Sequence, residues 1–281
     1  SWGPRFDGIV RPWTSPVDVN GDGVTEFLSR PYSAIPDQLE NFFRLGKTFT
    51  NNLAVGGGTD NFTYYASYTN TNQTGIMENT DYKRNTLTFN AGAQLTSRLK
   101  SNFSLTYANV VQNTALEGAR AFEGYNAYAT ALQSPNNIPF NELRDYTNPF
   151  HSFTGYYGSY TINPYFILNE YGNQGKVNNF LGSLGFDYLL AKNLTFNVKL
   201  GTNVVTTDVN EKAPIYAYTS HDVWLSNLAL VPRSGRQTSG GAYRRENNVS
   251  KTTDFTSNLR YTFDLNEDFN VGAMVGYNLF D

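Results

Sequence analysis

Cysteine is absent from the 281 residues, which removes disulfides, zinc ribbons, iron–sulfur clusters and thiol nucleophiles together. Charge is scarce too. Only 16% of residues are Asp, Glu, Lys or Arg, and 21 basic against 24 acidic side chains leave a net charge of −3 and a pI near 5.5. With no basic excess to neutralise phosphates, the chain is not built for nucleic acid. No apolar run approaches the roughly 18 residues that a membrane-crossing helix needs. The chain begins at Ser1 without a leader sequence, so a processed product or a piece of a longer protein is expected. What it has in quantity is aromatic rings: 20 Tyr, 20 Phe and 3 Trp. A disordered chain lacks such side chains, and this length can bury a core.

The dominant pattern is alternation with a period of two. Leu87, Phe89, Ala91, Ala93 and Leu95 interleave with Thr86, Thr88, Asn90, Gly92 and Gln94; Phe103, Leu105 and Tyr107 interleave with Asn102, Ser104 and Thr106. Leu194, Phe196, Val198 and Leu200 repeat it, as do Phe255, Leu259, Tyr261 and Phe263, and Val271, Ala273, Val275 and Tyr277. Successive strand residues point to opposite faces, so each segment is a strand with one apolar and one polar face. Eight strands are expected, near 47–57, 61–72, 84–95, 99–112, 177–190, 193–206, 248–263 and 267–280. Tight turns near 57–60, 96–98, 190–193 and 264–268 alternate with long stretches at 1–46, 73–83, 113–176 and 207–247. That parity, and strands of about a dozen residues, fit an antiparallel transmembrane β-barrel with short turns on one side and long loops on the other. A soluble β-sandwich is the rival. It would carry a charged outer face, whereas here the polar face is mainly Thr, Asn, Ser and Gly. The mean hydropathy of −0.46 agrees with either, because half of each strand and all loops are polar.

Specific segments then carry a resemblance. Ser1-Trp-Gly-Pro-Arg-Phe-Asp-Gly8, Asn41-Phe-Phe-Arg-Leu-Gly46, Thr50-Asn-Asn52, Gly56-Gly-Gly58, Tyr65-Ala-Ser-Tyr-Thr-Asn70, Gln73-Thr-Gly-Ile76, Lys83-Arg-Asn85 and Leu95-Thr-Ser-Arg-Leu99 follow one another in order. They resemble the barrel of SusC-like (RagA-like) TonB-dependent outer-membrane transporters of Bacteroidetes. Beyond residue 115 the likeness is one of pattern, with Ala131-Leu-Gln-Ser-Pro135 as an addition. The resemblance implies about eight strands of a 22-stranded barrel, with the plug domain and TonB box outside the sequence. It implies active import of nutrient oligomers, glycan or oligopeptide, across a bacterial outer membrane with the loops extracellular. Its implied partners are a SusD-like surface lipoprotein, TonB-ExbB-ExbD through the plug, outer-membrane lipid and lipopolysaccharide, and a second transporter–lipoprotein pair. No bond is broken in such transport, so no enzyme activity or catalytic residue is expected. A passive porin and a secreted soluble carbohydrate-binding β-protein stay open as alternatives.

Candidate sites are few. Asp18-Val-Asn-Gly-Asp-Gly-Val-Thr-Glu26 has oxygen ligands at loop positions 1, 3 and 5 and Gly at 6, the start of a calcium loop. Asp18, Asn20, Asp22, the Val24 carbonyl and Glu26 would hold Ca²⁺; Ser29 stands where a bidentate Glu would close the site, and an Asx-rich turn is the alternative. His151 and His221 lie in separate long stretches without a partner at catalytic spacing. Gly56, Gly57 and Gly58 suit a hairpin turn better than a phosphate cradle, since no helix follows. The 117–132 stretch is Ala-rich and compatible with a helix, and Arg244-Arg245 beside Glu246 forms a charge cluster. Rings dense over 150–171 and beyond, among them Tyr156, Tyr157, Tyr160, Tyr165, Tyr216, Tyr218 and Trp224, would contact substrate or lid, or pack loop on loop.

Overall fold

The computed structural model describes residues 3–115, 126–153, 162–217, 223–226, 229–232, 239–264 and 268–281. Its main body is one eight-stranded antiparallel sheet. The strands are β3 (Lys47–Thr59), β4 (Phe62–Thr74), β5 (Asp81–Thr96), β6 (Leu99–Asn113), β7 (Gly172–Ala191), β8 (Leu194–Tyr216), β11 (Ser239–Asp264) and β12 (Asn270–Phe280). They pair in the order β12-β11-β8-β7-β6-β5-β4-β3. Two small ribbons complete the β-structure: β1 (Val10–Pro12) with β2 (Ser29–Pro31), and β9 (Val223–Ser226) with β10 (Ala229–Pro232). Helices α1 (Ala127–Gln133), α2 (Phe140–Leu143) and α3 (Pro164–Glu170) lie between β6 and β7. No helix among the described residues is long and apolar enough to cross a membrane, which says nothing against crossing by strands.

The register joins the separate alternations into two continuous faces. One row runs Leu53, Tyr68, Leu87, Tyr107, Phe180, Val204, Lys251, and a neighbouring one Gly57, Tyr64, Ala91, Phe103, Leu184, Leu200, Phe255, Leu279. The opposite face reads Gly56, Tyr65, Asn90, Ser104, Ser183, Gly201, Asp254, and Gly58, Thr63, Gly92, Asn102, Gly185, Lys199, Thr256, Asn278. A one-residue slip anywhere would exchange the faces, so the sequence pins the pairing strongly.

The same register sets the tilt. Thr59 ends β3 six residues beyond Leu53, whereas Asp264 ends β11 thirteen beyond Lys251, in the same row. The turns therefore step by seven residues over six strand-to-strand intervals. At about 3.3 Å per residue and 4.8 Å per strand, levelling the turns leans the strands by roughly 40°. Membrane barrels lean by about 35–45°. Counting about ten residues up from each turn, the apolar face carries no Asp, Glu, Lys or Arg among the described residues. Along leaning strands that uncharged band is about 25 Å tall, the height of a barrel's lipid-facing belt.

Nothing described covers that face. Leu53 is 76% exposed, Val275 70% and Tyr277 60%, and β3 and β12 leave two open edges. Lipid tolerates neither open edges nor unpaired backbone, so the sheet is stable only as an arc of a closed wall.

Three expectations change. Residues 207–247 are not one long loop: β8 continues to Tyr216 and β11 starts at Ser239, pairing from Ser239↔Tyr216 onward. Alternation fades there because both faces are polar once the strands leave the apolar band. The strands consequently run from 11 to 26 residues, longer at the upper end than the dozen expected. The third change concerns Gly56, Gly57 and Gly58, which lie within β3 opposite Tyr65, Tyr64 and Thr63, while the turn sits at 60–61. A Cβ on Gly57 would meet the Tyr64 hydroxyl at 3.1 Å, so that tyrosine ring lies over the glycine backbone.

Candidate functional site

Two features have the make-up of a working surface: the polar face of the sheet, and the module of loops at its long-loop end. On the polar face, β6, β7, β8 and β11 frame a groove of about 510 Å³ lined by Asn102, Ser104, Asp187, Asn197, Lys199 and Asp254 among others. The face is polar but nearly neutral, and the two acids of the groove accept from amides. Asp187 accepts from Asn102 Nδ2 at 3.3 Å and from Asn197 Nδ2; Asp254 accepts from Asn278 Nδ2 at 2.9 Å and Thr256 Oγ1 at 3.1 Å. Asn179 and Asn203 keep their Oδ1 atoms buried without a partner among the described residues. Such a wall offers hydrogen bonds in many directions and little charge, which suits contact with polar, uncharged matter.

The loop module holds the buried core of the molecule. Trp13 and Phe42 come from the stretch 1–46, Ala127, Ile138, Phe140, Leu143 and Tyr165 from the stretch 113–176, and Tyr216 from the end of β8. Asn163 organises its centre. Its Oδ1 accepts from the Tyr165 N–H at 2.9 Å, capping α3, whose first residue is Pro164, and its Nδ2 donates to the Leu143 carbonyl at 2.8 Å and to that of His151. An Asn N-cap followed by Pro is a standard helix start, and Asn163-Pro164 is the signal in the sequence that marks α3. The described part of the 117–132 stretch contributes α1, capped by Asn126.

The aromatic candidates divide. Tyr165 is fully buried, 5.5 Å from the Phe42 ring and 5.5 Å beneath the Arg144 guanidinium, with no hydrogen-bond partner for its hydroxyl among the described residues; burial pushes its pKa up, against a weaker downward pull from Arg144. Tyr216 is 5% exposed, its hydroxyl 3.1 Å from that of Tyr171 and its ring 4.6 Å from Phe153. Both pack loop against loop. Tyr156, Tyr157, Tyr160 and Tyr218 lie outside the described residues, as does His221, and Trp224 stands in β9 opposite Val231. His151 is buried beside Trp13 at 5.4 Å; burial lowers its pKa, against a weaker upward pull from Glu142 and Asp145.

Loop 18–26 is a turn closed by a Val17↔Glu26 bridge. Asp18 accepts from the backbone N–H groups of Gly21, Asp22 and Gly23 at 2.7, 3.2 and 3.0 Å, and Asp22 accepts from Val24 at 2.8 Å. Asn20 donates to Glu26 Oε1 at 3.3 Å. The Asp18 and Asp22 carboxylates, which would face an ion, accept from backbone amides, and Glu26 accepts from the Asn20 side chain. No group of three or more His, Cys, Asp or Glu with metal-binding geometry occurs among the described residues. In the Arg244–Arg245 cluster, Arg244 pairs with Glu246 at 2.9 Å, and Arg245 reaches across to Asp208 at 2.5 Å.

No protein-family model matches the chain. Over 140 residues, half of its length, it is 26% identical to TonB-dependent receptor P26 of Formosa agariphila, and the match spans 13% of that receptor. The RagAB peptide transporter superposes with a TM-score of 0.66 at 17% identity, over 89% of this chain and 26% of that one. The RagAB peptide importer in its open-open state gives 0.64 at 19% identity, over 86% and 25%. The chain thus spans about a quarter or less of these proteins. These relatives are a receptor and transporters, not enzymes. In fold, the chain is an arc of antiparallel barrel wall like part of the RagAB transporter.

Proposed function

We propose that this arc belongs to an outer-membrane, TonB-dependent importer of nutrient oligomers, glycan or peptide, that works beneath a SusD-like surface lipoprotein. The observation that carries the proposal is the uncharged belt about 25 Å tall on strands leaning by roughly 40°. The similarity to a TonB-dependent receptor and the RagAB fold support the transport assignment over a β-sandwich. In this reading the apolar face meets lipid and the polar face lines the lumen. The loop module is extracellular and presents the mouth to the lipoprotein. Asp187 and Asp254, held in place by asparagine amides, give the lumen wall fixed hydrogen-bond acceptors. Energy comes from TonB-ExbB-ExbD acting on a plug, and the wall itself breaks no bond.

The test uses the intact protein in its native membrane. Uptake of labelled oligosaccharides and oligopeptides is expected to stop when TonB is deleted, with a surface lipoprotein co-purifying in detergent. Uptake that persists without TonB identifies a passive porin. A protein that stays soluble without detergent removes the barrel altogether.

Loop 18–26 enters the proposal as a calcium site only in a rearranged form, because an ion would have to take the Asp18 oxygens from three backbone amides. Radioactive calcium retained by the intact protein and lost in Asp18→Asn is the expected result. No retention by the wild type eliminates the site.

A further inference from the structure

Among the buried polar groups of the loop module, His151 stands apart. It is 6% exposed, and neither ring nitrogen has a hydrogen-bond partner among the described residues. A neutral imidazole brings one N–H donor and one acceptor, so both are stripped of water without replacement. Phenylalanine or leucine would fill the space without that cost. The backbone holds the ring in place: the His151 N–H donates to the Asn148 carbonyl at 2.9 Å, and the His151 carbonyl accepts from Asn163 Nδ2. The ring therefore reaches water only when the packing around it opens.

Part of that packing comes from the stretch 1–46. The Trp13 ring lies 5.4 Å from the imidazole, centroid to centroid, and Trp13, Thr14 and Ser15 are all buried. The β1–β2 ribbon depends on this anchor. Trp13 N–H donates to the Leu28 carbonyl, and Leu28 N–H to Thr14 Oγ1, both at 2.9 Å. Further along, the same stretch has ties of its own to the stretch 113–176. Ile35 N–H donates to the Asn136 carbonyl at 2.9 Å, and Gln38 Nε2 to those of Pro135 and Ile138 at 3.0 Å.

The charged groups around the imidazole come from three elements. Burial lowers the His151 pKa, against Glu142 of α2 and Asp145 just beyond it, which favour the charged ring. Arg30 of β2 places its guanidinium 5.8 Å from the Trp13 centroid and pairs with Glu142 at 3.5 Å. Arg144, past the end of α2, is taken up by Glu78 at 2.8 Å, and Glu170 of α3 by the Tyr146 hydroxyl at 2.9 Å.

We propose that His151 is a pH-sensitive latch: uncharged, it seals Trp13 into the module, and in mild acid its protonation releases Trp13, Thr14 and Ser15 and the β1–β2 ribbon with them. A charged imidazole donates from both nitrogens and needs an acceptor at each; opening the Trp13 seam supplies water. The docked ring has a lowered pKa and the released ring titrates near 6.5, so docking is strongest above that pH and is lost as pH falls below it. Residues 35–42 keep their own bonds, which confines the release to the ribbon. The latch is internal to the loop module and does not rest on the barrel reading.

Hydrogen exchange on the intact protein at pH 7.5 and 5.0, corrected for the intrinsic pH dependence of exchange, tests this. The Trp13 and Leu28 amides are expected to lose protection in acid by about five- to thirtyfold, the upper figure being the ceiling for one histidine released at pKa about 6.5. A loss outside that range overturns the latch, as does one that sets in only below about pH 4.5, where carboxylates titrate. Equal loss at the Ile35 amide also overturns it, since the whole module would then be opening. His151→Phe and His151→Leu are expected to keep the ribbon equally protected at both pH values; a loss like that of wild type refutes the assignment to His151. Should neither variant dock the ribbon at pH 7.5, Asp145→Asn decides. It keeps the ring and removes an upward pull, so the midpoint must move to lower pH, and an unmoved midpoint overturns the latch.

Discussion

Leu105→Arg in the intact protein is expected to cost about 2–4 kcal/mol of folding free energy in lipid, and Thr106→Arg, one residue along, close to nothing. Leu105 stands six residues above the start of β6, about 15 Å along the membrane normal and so near the centre of the uncharged belt. Its row neighbours are Phe89 and Gly182, so an arginine there finds neither water nor a counter-charge. Thr106 points to the polar face, beside Thr88 and Leu181, where a guanidinium reaches the lumen. Urea titration in phosphatidylcholine vesicles, read by heat-modifiable gel mobility, separates the two. Equal penalties at both positions would mean that the faces are not distinguished by lipid. A larger penalty for Thr106→Arg would reverse the assignment of inside and outside.

The second large effect lies in the loop module. Phe42→Ala is expected to remove about 3–5 kcal/mol of local stability. Phe42 is 1% exposed and its ring touches Phe43, Phe140 and Tyr165 at 5.2–5.5 Å, so truncation leaves a cavity between two long stretches. Tyr165→Phe, at the same spot, should be neutral or mildly stabilising. Its hydroxyl is buried with no hydrogen-bond partner among the described residues, and deleting an unsatisfied polar group removes a desolvation cost. Hydrogen exchange on the intact protein gives the readout. Amides of α1 and α3 should lose protection in Phe42→Ala while the β5–β6 ladder keeps its own, because the ladder's bonds do not pass through the module. Loss of protection along the whole sheet would instead make the module part of the barrel's cooperative unit. A substantial loss in Tyr165→Phe would show that the hydroxyl has a partner.

How much of this was legible follows from where water and lipid act on the chain. Inside the apolar belt each residue meets one solvent or the other, so Leu87, Phe89 and Ala91 alternate with Thr86, Thr88 and Asn90, and the strands and their two faces are written locally. Above the belt both faces are wet. Asp208, Asn210 and Lys212 on β8 pair with Asn247, Arg245 and Tyr243 on β11, a ribbon held by backbone hydrogen bonds and a few side-chain contacts, and no periodicity announces it. The glycine run 56–58 pointed to a turn because glycine permits one; the rings of Tyr64 and Tyr65 across the ladder make it a strand.

The candidate sites were legible as composition and not as geometry. The density of rings over 150–171 marked a functional or packing region, but only the meeting of Tyr165 with Trp13 and Phe42, each more than a hundred residues away in sequence, put Tyr165 in the interior. Loop 18–26 offers oxygen ligands in the right order, and the fold turns Asp18 onto Gly21, Asp22 and Gly23. The sequence by itself determined a two-faced antiparallel sheet, since period-two alternation is a local response to two solvents. The tertiary structure alone decided the seven-residue slip of the turns, hence the tilt and the height of the belt. Those are properties of lateral register, which exists only once neighbouring strands have exchanged their hydrogen bonds.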